Sequence, residues 1–121
     1  MSAISIIEAD LTNIIHQDAI FSLMNIYITD KMGGGTALAN SRKMELINGL
    51  RNVPTSLVFL AVIDNEYVGL VNAFVNFGTF ALQKFINVHD VVVHHAYRGQ
   101  GIGEALMRFV EQKAVSINCA K

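Results

Sequence analysis

The stretch HDVVVHHAYRGQGIGEALMRFVE, His89 to Glu111, passes from a run of valines through Gly99, Gly101 and Gly103 into an amphipathic segment. The valine run reads as a strand. Beyond it, Ile102, Ala105, Leu106, Phe109 and Val110 recur at helical spacing, while Glu104, Arg108 and Glu111 fall off that face. Glycines between a strand and a helix permit a tight turn and let bare N–H groups approach a ligand, and the helix N-terminus adds roughly half a positive charge. The combination suits a phosphate group. A fold for this chain must therefore bring a strand end, a glycine turn and a helix start together at one place.

Two familiar phosphate motifs do not fit. A Walker A loop requires G-x-x-x-x-G-K-S/T, and no glycine here is followed by Lys and then Ser or Thr. The dinucleotide fingerprint G-x-G-x-x-G/A fails in both registers: Gly99 and Gly101 lead to Glu104, and Gly101 and Gly103 lead to Leu106.

The rest of the chain divides cleanly. Ala3 to Ala9 is rich in Ile and reads as a first strand, with Asp10 or Thr12 available to cap the helix that follows. Leu11, Ile14, Ile15, Ile20, Leu23, Met24 and Tyr27 give that helix its apolar positions, as far as about Asp30. Gly33, Gly34 and Gly35 then interrupt it, which predicts a mobile connection. A second helix fits Ser41 to about Asn52, ended by Val53-Pro54, since proline disfavours helical geometry in the residue before it. SLVFLAVID and YVGLVNAFVNF predict a hairpin around a tight turn at Asp64 to Glu66, and KFINVHDVVVHH a fourth strand. The order is β-α-α-β-β-β-α in a mixed α/β domain with a mostly antiparallel sheet.

With 121 residues, 52% of them apolar, the chain is expected to form one domain over residues 1–121. The net charge is −1 and the nine basic residues are scattered, so neither nucleic acid nor an anionic membrane is an expected partner. Cys119 is the only cysteine, which excludes an internal disulfide and a zinc site of several cysteines; no metal is expected. The N-terminus lacks a basic n-region, and the longest apolar run, Leu57 to Ile63, is far short of the ~20 residues of a membrane span. A cytoplasmic, reducing location follows. The mean hydropathy, +0.40, is high for a soluble domain.

Arg98-Gly99-Gln100-Gly101-Ile102-Gly103 matches the pattern R/Q-x-x-G-x-G/A, and here the sequence resembles the GNAT family of N-acetyltransferases. The element order, the strand INVHDVVV and the transition AYRGQGIGEALM extend the resemblance over essentially the whole chain. It implies acetyl coenzyme A as cosubstrate and a small-molecule or peptide amine as acceptor. It also implies that amides from Arg98 to Gly103 hold the pyrophosphate and that backbone groups of Val91, Val92 and Val93 pair with the pantetheine arm as an added strand would. Deprotonation of the amine near the middle of the fourth strand would fall to His89 or Asp90. Strict alternation sets those two on opposite faces, and each has a structural role open to it, Asp90 holding neighbouring backbone and His89 packing at the strand edge. His94 and His95, adjacent on a strand, are expected to diverge, and His16 to lie on the surface.

The family pattern continues past the last helix with further strands, the coenzyme entering where the fourth and fifth strands splay apart. Here SINCAK reads as the start of the fifth strand, and the family's later Asn and Tyr, the latter its usual general acid, have no counterpart. Two functions are expected from this. One is acetyl transfer to an amine; the other is a non-catalytic relic that binds coenzyme A weakly or serves as an oligomerising module. An uncovered fourth-strand edge favours a homodimer.

Overall fold

The computed structural model describes residues 3–30 and 35–119. Its elements are β1 (Ser5–Glu8), α1 (Ile14–Thr29), α2 (Lys43–Arg51), β2 (Ser56–Ile63), β3 (Glu66–Gly78), β4 (Gln83–Val93) and α3 (Ile102–Ser116). Single 3₁₀ turns precede α2 at Asn40–Arg42 and α3 at His95–Tyr97. The expected order and the mixed α/β class both hold. The strands form one four-stranded sheet in the order β1-β2-β3-β4, every neighbouring pair antiparallel.

The start of α1 departs from expectation. Asn13 caps it, its Oδ1 accepting from the N–H groups of Ile15 and His16 at 2.8 and 3.3 Å. Asp10 accepts instead from Thr12 N–H and Oγ1–H, and its own N–H donates to His16 Nδ1 at 2.9 Å. With the helix beginning there, Ile14 and Ile15 stand in solvent at 69% and 59% exposure, so the first apolar repeat is not a buried face. His16, expected on the surface, is half-buried and packs edge-on against Tyr67. Of the glycine connection, Gly33 and Gly34 lie outside the described residues.

The β2–β3 turn is one residue shorter than expected. Ile63 pairs with Glu66, which leaves Asp64 and Asn65 as the two turn residues, both with positive φ (50° and 65°). That is the twist a two-residue hairpin requires, and Asp and Asn tolerate it better than other side chains.

Apolar cores lie on both faces of the sheet. On one, Ile102, Leu106, Val110 and Ala114 of α3 meet Phe59, Ala61, Val71 and Ala73. Full burial of each large side chain contributes roughly 1.5–3 kcal/mol. Gly69 allows α3 to seat closely: a Cβ there would lie 2.9 Å from Ile102 Cγ2 and 3.1 Å from Leu106 Cδ1. On the other face, Ile20 and Leu23 of α1 and Ile47 and Leu50 of α2 cover Leu60, Leu70 and Val92.

The described part of SINCAK closes α3 rather than opening a strand. Asn118 takes φ 60°, its N–H donates to Val115 O at 3.2 Å, and Cys119 N–H reaches back to Ala114 O at 2.8 Å. These paired bonds around a left-handed residue are a Schellman stop, which satisfies carbonyls that the helix end would leave bare.

Candidate active site

Two local irregularities shape the sheet edge where β4 runs into the glycine loop. The first is a bulge. Asn72 pairs with Asp90 and Ala73 with Val88, so His89 is an extra residue in β4. A bulge sets two consecutive side chains against one partner and breaks strict alternation. His89 packs edge-on against Phe74, ring centroids 5.8 Å apart, and Asp90 Oδ2 accepts from Asn72 Nδ2–H at 3.2 Å. Phe74 belongs to the α1/α2 side, and Asn72 meets Met24 of α1. Thus His89 and Asp90 face the same side of the sheet, contrary to the alternation argument.

The second irregularity is the loop from His94 to Gly101. His94 Nδ1 accepts from Ala96 N–H at 3.1 Å and starts the 3₁₀ turn. Because the chain leaves the strand there, the rings of His94 and His95 do not diverge; they stack, centroids 4.5 Å apart and 27° from parallel. Arg98 is no free loop residue: its guanidinium donates to Asp30 Oδ2 at 2.7 Å and to Val93 O at 3.3 Å, tying the loop to the end of α1. Ile26, Thr29, Asp30, His95 and Arg98 line a cleft of about 470 Å³ there.

Gly99 and Gly101 have φ of 84° and 81°, a region that side chains disfavour. A Cβ at either would meet nothing within 4 Å, so both backbones border open space. Gly101 is the N-cap of α3, and no side chain caps that helix. Its first-turn amides and the positive end of its dipole therefore suit an anionic group. The expected coenzyme residues differ in what they can offer. Val92 (3% exposed) is buried in the α1/α2 core and Ile102 (1%) in the α3 core, so each can serve a ligand through its backbone alone. Val91 and Val93 lie on the same edge strand, while Gln100 is exposed in the loop and Gly103 starts α3. The glycine turn, the uncapped start of α3 and the edge strand β4 thus lie next to one another.

Two residues beyond the sequence candidates belong here. Asn72 carried a signal, being a polar residue within the apolar run YVGLVNAFV. Asp30 carried none, because its link to Arg98 crosses 68 positions. Among the described residues, no group of three or more His, Cys, Asp or Glu could hold a metal ion.

The sequence pattern of the acetyltransferase (GNAT) family matches residues 20–121, and the chain belongs to that family. Similar folds occur in solved structures. A ribosomal-protein-alanine N-acetyltransferase from Brucella melitensis biovar Abortus superposes with a TM-score of 0.80 at 20% identity, over 98% of this chain and 77% of that one. A GNAT family acetyltransferase from Staphylococcus aureus gives 0.78 at 18% identity, over 99% and 83%. An aminoglycoside acetyltransferase from an uncultured soil metagenomic sample gives 0.76 at 19% identity, over 96% and 72%. No curated protein sequence matches the chain.

Proposed function

We propose that this chain transfers the acetyl group of acetyl coenzyme A to a primary amine by direct attack. The observation that carries the reading is the loop: two glycines at positive φ border open space at the uncapped start of α3, beside an edge strand. Amides from Arg98 to Gly103 would hold the diphosphate, and the backbone of Val91 to Val93 the pantetheine arm. The bulge in β4 brings His89 and Asp90 to one side of the sheet, and an arm laid along Val91 to Val93 would have its reacting end near them.

In the reaction the amine nitrogen bonds to the thioester carbonyl carbon as the carbon–sulfur bond breaks. Coenzyme A leaves as thiolate and takes a proton from solvent. The proton lost by the amine passes to Asp90 or His89, directly or through water. Room for the acceptor lies beside Phe74, which edges His89 and also lines an apolar hollow of about 410 Å³ with Leu38, Leu46, Leu50 and Val53.

Two neighbours' names suggest the test: an aminoglycoside and a peptide with an N-terminal alanine, with a simple alkylamine beside them, each mixed with acetyl coenzyme A while thiol release and acetylated product are followed. The reading expects the two to rise together for at least one amine. Coenzyme A binding without transfer to any amine would favour the alternative of a non-catalytic binding module. A homodimer and a cytoplasmic location belong to the same proposal. Sedimentation as a monomer at micromolar concentration would remove the dimer. Among the described residues, no helix is long and apolar enough to cross a membrane.

A further inference from the structure

Opposite the bulge sits a residue that core packing does not explain. Asn72 is 4% exposed, among the apolar Leu60, Leu70, Val92, Ile20 and Leu23. Its Nδ2 donates to Asp90 Oδ2 at 3.2 Å and lies 3.1 Å from Met24 Sδ. Its Oδ1 is buried and accepts no hydrogen bond among the described residues. The carboxylate settles which way the amide points, since only the NH₂ end can donate to it. A buried acceptor without a donor destabilises a fold, and a valine of similar size would pack here without that cost. Asn72 and Asp90 are direct cross-strand partners, where side chains are close enough to fix each other's rotamers. On the other strand, His89 is the extra residue that lets Asp90 turn to this face.

We propose that Asn72 is a positioning residue for the acetyl transfer, holding the Asp90 carboxylate in the orientation that receives the amine proton. The inference rests on the proposed role of Asp90. In this arrangement the polar group is kept for the reaction at some expense of stability, and Asn72 itself touches neither substrate.

The test compares Asn72→Val, Asn72→Thr and Asp90→Asn, using whichever amine of the panel the wild type acetylates fastest. Valine and threonine have nearly the same shape, but threonine keeps a donor for the carboxylate. Asn72→Val should lower kcat about tenfold with KM for acetyl coenzyme A unchanged, and its melting temperature should equal or exceed that of the wild type. Asn72→Thr should recover most of the rate. Asp90→Asn should lower kcat roughly a hundredfold, and adding Asn72→Val to it should cost no further activity. If Asp90→Asn is slow but Asn72→Val matches the wild type, the positioning role is wrong while the role of Asp90 stands. A fall in both melting temperature and rate for Asn72→Val that threonine does not rescue would make Asn72 structural and overturn the proposal. Full activity in Asp90→Asn would overturn this inference and leave the proton to His89, whereas no acetylation by the wild type would sink the reading of the reaction and this inference with it.

Discussion

The two faces of the sheet are both covered by helices but differ in what they bury. Beneath α3 every buried side chain is apolar, and the helix seats against Gly69. Beneath α1 and α2 the apolar layer is interrupted by Gln17 and Asn72, the two buried polar residues among those described. Gln17 is a structural exception, its Nε2–H donating to Leu11 O at 2.9 Å to hold the approach to α1. Asn72 instead points at the bulge. Under the proposed function the chemistry falls on the second face, which leaves the first to be packed for stability alone.

That contrast can be broken most strongly at Leu106, which is fully buried beneath α3. Leu106→Ala should destabilise the fold by about 3 kcal/mol, from lost burial and the cavity left behind, read as a lower urea midpoint with unchanged slope. Gly69→Val attacks the same face from the sheet. Its added carbons would press on Ile102, Leu106 and the Ala61 Cβ, which lies 3.2 Å from the ideal position, and the expected loss is about 1–3 kcal/mol. A loss below ~0.5 kcal/mol for Gly69→Val would mean that α3 does not sit as described.

A smaller effect sharpens the comparison on the other face. Hydrogen bonds from the Thr12 hydroxyl, and then from the Thr12 N–H, hold the exposed Asp10 carboxyl below its ordinary value of 3.8. A group whose pKa is lower folded than unfolded adds stability above its unfolded value and loses it as pH falls through the folded one. The stability advantage of the wild type over Asp10→Ala should therefore shrink as pH falls below about 4. An advantage that stays constant down to the acid transition would show that these hydrogen bonds do not depend on the charge.

Local signals were legible in the sequence and pairwise ones were not. The helical repeat of α3, the turn expected at Asp64 to Glu66 and the Val53-Pro54 stop each act within a few residues, and each element forms at or beside its signal, the turn losing only Glu66 to β3. Within the site, the glycine loop was legible for the same reason. The bulge at His89 was not, because a bulge is a mismatch of two strands and neither β3 nor β4 alone encodes it. Without it, alternation separates His89 from Asp90. Near α1, Asp10, Thr12 and Asn13 are all competent caps; Asp10 and Thr12 bond to each other, and Asn13 caps the helix. Asn118 did offer a readable stop signal, since Asn is the commonest substitute for Gly in a left-handed helix end.

The central claim is that the backbone of the loop between β4 and α3 binds coenzyme A, and calorimetric titration of coenzyme A into wild type and Gly101→Val tests it most directly. Gly101 is exposed and has φ 81°, so a β-branched residue strains the turn and narrows the approach to the α3 amides while leaving both cores untouched. The account predicts saturable one-to-one binding by the wild type and an affinity lowered roughly tenfold or more in the variant, with circular dichroism unchanged. Equal binding by the two proteins, or no binding by the wild type, would contradict it.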